Sequence, residues 1–319
     1  MMFQFAGSVR RRAAGLVLAG AVAAAATGCS TTAPAQNGGT SAAAGSSTKI
    51  AVVAAENFWG SIAEQLGGEH ATVHSVINNP DADPHDYEPT PADGRTMASA
   101  QFAIVNGIGY DPWAPKLISA NPNEKRTVLT VGDAVGVKAG GNPHRWYSPD
   151  DVHKVIDEIT ADYRKLDPAD AAYFDAQKQN FETKALGQYT ALVSGIKAKY
   201  AGTPIGASES IVTPLAEGLG LKMLTPESFL DAISEGSDPT AADKAAIDAQ
   251  IKGKQIKIYV YNSQNSTPDV QAQVAAAKAA GIPVATVTET LTPAGATFQD
   301  WQTKQLQGIE QALAQATGK

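Results

Sequence analysis

Two histidines sit in near-parallel settings, in Asp83-Pro84-His85-Asp86-Tyr87-Glu88-Pro89 and in Asn142-Pro143-His144-Arg145-Trp146-Tyr147-Ser148-Pro149. Each follows a proline and each motif closes on another. Proline fixes φ and stiffens the loop around it. A stiff loop presenting an imidazole can hold a metal ligand before the metal arrives. The chain has only five histidines. The other three read as surface or hydrogen-bonded residues: His70 in a Gly-Gly-Glu-His turn, His74 on a strand and His153 in the first turns of a helix.

Two histidines need further ligands. In open α/β sheets these come from the crevice outside the carboxyl ends of the strands. His85 follows a strand ending at Ile77. Glu209 follows the strand Pro204–Ala207, and Glu289 follows the strand Pro283–Thr288. Spacing alone does not single out these two carboxylates among 32 acidic residues. Other chemistry is poorly supported. Ser208, in Gly206-Ala207-Ser208-Glu209-Ser210, lacks the second glycine of a nucleophile elbow. Gly107-Ile108-Gly109 lacks the third glycine of a nucleotide-binding turn.

The elements that must position these residues are short apolar strands alternating with helices. Strands are expected at Ile50–Ala55, Thr72–Ile77, Phe102–Asn106 and Thr127–Val131, then at Pro204–Ala207, Lys222–Leu224, Ile256–Tyr261 and Pro283–Thr288. Helices are expected at Phe58–Leu66, Thr90–Ala100, Ile211–Leu219, Ala241–Ile251 and Pro268–Ala280. Such alternation predicts α/β units, each with a mainly parallel sheet flanked by helices. Asp150–Leu166 is a well-started helix, because Ser148-Pro149-Asp150-Asp151 supplies a cap and early negative charge. From Ala169 to Tyr200 about 30 residues run without proline, enough for a helix of roughly 45 Å. That is longer than one lobe needs, so it is expected to join two lobes; the alternative is an ordinary surface helix broken near Gly187 or Gly195.

The ends bound the compartment. Arg10, Arg11 and Arg12 precede an apolar, alanine-rich stretch from Ala13 to Gly28, the pattern of a secretory signal. Ala26-Thr27-Gly28-Cys29 resembles a bacterial lipobox, with Ala26 where leucine is usual, so Cys29 is the expected lipidation site. It is the one cysteine of the chain, which excludes an internal disulfide. Residues 29–48, rich in Ser, Thr, Ala and Gly, cannot bury a core and read as a flexible tether. The expected organisation is therefore a signal over 1–28, a tether over 29–48, an amino-terminal lobe over 49–168, a connecting helix over 169–200 and a carboxy-terminal lobe over 201–319. Loss of the signal's three arginines moves the net charge from −7 to −10. An acidic chain of this kind is a poor nucleic-acid ligand.

The chain resembles the zinc/manganese class of metal-specific solute-binding lipoproteins of bacterial ABC importers. The similarity covers nearly the whole mature chain. It is carried by Asn57-Phe58-Trp59-Gly60-Ser61-Ile62-Ala63, by the His85 motif through Thr90, by Asn106-Gly107-Ile108-Gly109-Tyr110 and by Asn142-Pro143-His144-Arg145-Trp146. The resemblance implies two α/β lobes joined by a long rigid helix, with one metal in the interlobe cleft. It implies His85, His144, Glu209 and Glu289 as the metal ligands. It further implies a permease and its ATPase as partners, a lipid anchor on the outer face of the cell membrane, and a monomer without enzymatic activity. Three departures stand out. Glu289 is longer than the usual aspartate, Tyr261-Asn262-Ser263 stands where many relatives carry an acidic residue, and no histidine-rich loop lies between Tyr110 and Asn142. Two imidazoles and two carboxylates suit Zn²⁺ or Mn²⁺, with Fe²⁺ behind them, and the donor set does not choose between the first two. A metal-dependent hydrolase and a surface adhesin of the same fold are the rival readings.

Overall fold

Residues 48–80 and 87–319 are described by the structure, a computed structural model; the signal segment, Cys29 and His85 lie outside the described residues. The first half runs β1 (Ile50–Glu56), α1 (Asn57–Gly67), β2 (Ala71–Ile77), α2 (Pro91–Ser99), β3 (Phe102–Val105), α3 (Trp113–Ala120), β4 (Thr127–Thr130), α4 (Val131–Val135) and α5 (Pro149–Leu166). Helices α6 (Ala171–Asn180) and α7 (Gly187–Tyr200) follow. The second half runs β5 (Pro204–Ala207), α8 (Val212–Gly218), β6 (Lys222–Met223), α9 (Glu227–Ser234), α10 (Ala241–Lys252), β7 (Ile258–Asn262), α11 (Pro268–Ala279), β8 (Val284–Val287) and α12 (Phe298–Thr317).

Two four-stranded sheets result, ordered β2-β1-β3-β4 and β6-β5-β7-β8, and every pairing is parallel. The expected fold class is therefore the observed one. Both sheets share one topology, and each reverses its winding between its two central strands. Those switch points, β1/β3 and β5/β7, are where an open parallel sheet leaves a crevice. The central strands are largely buried on both faces because helices cover both, as at Phe102–Val105, which is buried throughout, whereas the edge strands β2 and β4 keep exposed positions.

Local chemistry explains the helix starts. Thr90 and Asp93 form a reciprocal capping box at α2, and the Tyr87 hydroxyl donates to Asp93 at 2.9 Å. Ser148 caps α5 ahead of Pro149, and Val152, Val155, Ile156, Ile159 and Tyr163 give that helix its buried stripe. The stretch expected as one connecting helix is helical in pieces. A π-helical turn, Phe181–Ala185, separates α6 from α7, and the break falls just before Gly187. Helix α6 packs on α1 and α5, whereas α7 packs on α12. The two pieces thus adhere to different sheets' helices.

One hydrophobic cluster runs through both halves, from Phe58, Trp59 and Trp146 to Leu215, Trp301 and Leu306. Polar contacts add to it. Gln65 and Gln299 exchange amide hydrogen bonds, the Phe298 N–H donates to Ser61 Oγ at 3.0 Å, and the Tyr147 hydroxyl donates to the Thr288 carbonyl at 2.7 Å. A shared core packed to native density resists large relative motion of the two sheets. Among the described residues, no helix is long and apolar enough to cross a membrane.

Candidate metal centre

His144 enters the site from the loop after α4. Its ring is 1% exposed, and Nδ1 lies 2.9 Å from Asn142 Oδ1. That contact suits an Nδ1–H donor and leaves Nε2 to face the cleft. Nε2 is 3.6 Å from Glu289 Oε1. Asn142 also donates from its amide to the Ser210 carbonyl at 2.7 Å, so one residue orients the imidazole and ties its loop to the second half. Trp146 backs the ring edge-on at 5.2 Å and itself stacks on Phe58 at 4.0 Å.

Glu209 follows β5 at the second switch point and is 1% exposed. Its Oε1 accepts from the Asn262 amide at 2.5 Å and its Oε2 from the Asn265 amide at 2.7 Å. Glu289 lies two residues beyond β8. Its Oε1 accepts from the Tyr110 hydroxyl at 3.1 Å, and its Oε2 from the Asn262 amide at 3.4 Å. The structure thus brings His144, Glu209 and Glu289 to one place, linked through Asn262 and Tyr110. His85 lies outside the described residues, but Pro80, on the chain leading toward it, accepts from the Gln264 side chain.

In the sequence alone, Gln264 and Asn265 do not stand out, Tyr110 enters only as part of a family motif and Asn262 only within a departure from the family pattern, none of them with a role in the site. Tyr110 is brought in by a loop in which Gly107, Ile108 and Gly109 all take positive φ, at 71°, 59° and 87°. That conformation is easy for glycine and costly for a β-branched residue. Asp111 holds the loop, accepting from the N–H groups of Asn106 and Gly107 at 2.8 Å each. The amide-rich run Asn262-Ser263-Gln264-Asn265 at the end of β7 was the available signal for the other three.

Beneath this loop lies a buried carboxyl pair. Glu56 is fully buried, and neither of its oxygens has another hydrogen-bond partner among the described residues. Burial, then the adjacent Asp111, push its pKa well above the usual carboxylate range. Asp111 is pushed up by burial to about 6, against the pull of its N–H donors. The pair is satisfied when the two share a proton. Both groups titrate higher in the folded chain than in the unfolded one. Their stabilising contribution is therefore full below the ordinary carboxylate range and is lost as pH rises through about 6 for Asp111 and higher for Glu56. Glu56→Gln keeps a donor toward Asp111 and removes one titration. It is expected to raise the melting temperature above pH 7 by roughly 2–5 °C and to flatten its fall with pH. Circular dichroism melts of the metal-free protein check this, and an unchanged slope counts against it.

A cavity of about 460 Å³ opens beside His144, with Asn142, Ser210, Glu227, Asp231 and Glu235 in its wall. Burial, followed by the charges of Glu227 and Glu235, raises the pKa of Asp231. A wall of this sign favours cations at the mouth. Away from this region, His70, Asp167 and Asp170 place potential ligand atoms within 4.8 Å of one another. His70 Nδ1 lies 3.0 Å from Asp170 Oδ2, and its ring packs at a tilt of 40° against Tyr173, 4.2 Å between centroids. An imidazole set between carboxylates accounts for that geometry, and it ties the turn after α1 to the α5–α6 junction.

Known proteins share this architecture. A manganese-bound periplasmic metal-binding protein from Candidatus Liberibacter asiaticus superposes with a TM-score of 0.70 at 20% identity, over 83% of this chain and all of that one. Among curated relatives, the iron-binding protein YfeA of Yersinia pestis is 30% identical over 145 residues, covering 44% of this chain and 46% of YfeA. The manganese-binding lipoprotein MntA of Halalkalibacterium halodurans is 28% identical over 135 residues, covering 41% and 45%. The chain spans about half the length of the curated relatives it matches. The family model described as zinc-uptake complex component A, periplasmic, matches residues 52–312, a span that takes in both sheets and the site between them, so the chain belongs to the ZnuA family.

Proposed function

We propose that this chain is the extracytoplasmic binding component of an ABC importer. It captures one divalent transition-metal ion, Zn²⁺ or Mn²⁺ with Fe²⁺ behind them, and hands it to a membrane permease that works with its own ATPase. The ligands are His85, His144, Glu209 and Glu289, and Cys29 carries the lipid anchor. The observation that carries the reading is the meeting of His144, from the first half, with Glu209 and Glu289, from the second, around buried Asn262. Relatives named for iron and for manganese, and a family named for zinc, agree with a site of mixed nitrogen and oxygen donors.

Two carboxylates offset the charge of a bound M²⁺ and two neutral imidazoles add none, so the loaded centre is neutral. Neutral imidazoles and ionised carboxylates are required, and affinity falls as acid protonates them. The ion is bound and released without chemical change, so the protein acts as a carrier and no turnover is expected. Because the core is continuous, capture and release call for small loop rearrangements.

Calorimetric titration of chelator-stripped protein tests the reading. One equivalent of Zn²⁺ or Mn²⁺ is expected to bind. Absence of stoichiometric binding for both ions would overturn it.

A further inference from the structure

Asn262 has no assigned part in binding, yet its side chain touches both candidate carboxylates. It is fully buried at the end of β7. Its Oδ1 accepts the Gln264 N–H at 2.9 Å, which fixes the orientation of the amide. Nδ2 must then face the cleft, where it donates to Glu209 Oε1 at 2.5 Å and to Glu289 Oε2 at 3.4 Å. We propose that Asn262 is a positioning residue that bridges the two carboxylates in place of a cation and holds the donor set at two carboxylates. This rests on the metal-carrier reading for its purpose, though not for its geometry.

The physical case is one of charge. Buried Glu209 and part-buried Glu289 repel one another, and a partial positive charge between them relieves the metal-free protein. An amide N–H₂ supplies two donors at the cost of no net charge. Around it the neighbouring amides take up the remaining positions. Asn265 donates to Glu209 Oε2 at 2.7 Å and to the Ile233 carbonyl at 3.1 Å. Gln264 Oε1 accepts the N–H groups of Glu289 and Thr290 at 2.5 and 3.0 Å. With Tyr110 on Glu289 Oε1, each of the four carboxylate oxygens accepts from a neutral donor. The carboxylates are thereby aimed before an ion arrives, which spares part of the ordering cost of binding.

An aspartate at 262 would keep the bond to the Gln264 N–H and turn its second oxygen toward Glu209 and Glu289. Three carboxylates then meet, two of them buried. The metal-free form suffers, while a bound cation gains an anionic neighbour. Asn262→Asp is expected to lower the metal-free melting temperature by roughly 5 °C or more and to enlarge the shift produced by saturating Zn²⁺. These opposite signs separate the proposal from a merely structural role, which would lower both. Asn262→Ser removes the bridge without adding charge and is expected to weaken Zn²⁺ binding about tenfold.

Thermal melts of both variants, with and without Zn²⁺, and chelator-competition titrations read these effects. In the metal-free wild type, ¹⁵N-correlated NMR should show one asparagine side-chain amide shifted downfield and protected from exchange, and lost in Asn262→Ser. Equal losses with and without Zn²⁺ in Asn262→Asp, or unchanged affinity in Asn262→Ser, would overturn the proposal. So would the absence of that protected amide, a measurement that needs no variant to fold. If the wild type bound no metal, the carrier reading would fall while the amide signal still decided the bridge.

Discussion

Glu209→Gln is expected to cut Zn²⁺ affinity a hundredfold or more while leaving a folded protein. Glu209 is 1% exposed, so its charge reaches the cleft with little screening by water. Removing one partner from a buried, paired charge costs about 3–5 kcal/mol, and each 1.4 kcal/mol is tenfold in affinity. The metal-free protein suffers less. The Asn262 and Asn265 amides both donate to this side chain, and a glutamine can accept from one of them only. One lost hydrogen bond of this kind costs about 1–3 kcal/mol, which a domain of ordinary stability survives. Competition against a metal-sensitive dye measures the affinity, and far-ultraviolet circular dichroism checks the fold. Asp231→Asn, in the wall of the cavity beside His144, serves as a control. It acts on the approach of the ion through a screened field and is expected to change affinity by less than about threefold at physiological salt. A Glu209→Gln affinity within threefold of wild type would remove Glu209 from the ligand set.

The sheets were the most legible part of the chain. Runs such as Phe102–Val105 and Ile258–Asn262 are apolar on both faces because helices cover both faces, and an unbroken apolar run bounded by turns reads directly as a buried strand. Glu209 and Glu289 could be placed at strand ends for the same reason. Tyr87 and Thr90, so specific as a motif, prove to secure the start of α2. What stayed hidden depended on partners distant in sequence. Gln264 and Asn265 carry no signal of their own, since such residues serve turns and loops everywhere, and Asn262 stands out only within a departure from the family pattern. Their role appears only once β5 and β8 bring Glu209 and Glu289 alongside. Helix α12 went unread because Gln302, Thr303 and Gln305 interrupt its apolar stripe, and they are buried in contact with the other half. There Gln305 accepts from Tyr147 and from the Thr288 N–H, a polar use of an interior position that periodicity cannot anticipate. The break before Gly187 had a marker in that glycine, although its π-helical form did not.

Trp146→Ala is expected to destabilise the protein by about 3–5 kcal/mol, lowering the melting temperature by roughly 10 °C. Trp146 is fully buried and joins three parts of the site: Phe58 at the head of α1, Tyr110 on the strained loop and His144 two residues away. Truncation leaves a cavity that a core already packed around Phe58 and Trp59 fills poorly. It also frees the rings that carry His144 and Tyr110, so Zn²⁺ affinity should fall along with stability. Trp146→Phe separates the two contributions of the indole. Its Nε1 has no hydrogen-bond partner among the described residues. Phenylalanine therefore gives up no polar contact and keeps a ring to stack on Phe58. That variant is expected to lose less than half of what alanine loses. Melts of both variants, with and without Zn²⁺, provide the comparison. Equal losses in the two would show that the full bulk of the indole, rather than an aromatic ring stacked on Phe58, is what this position requires.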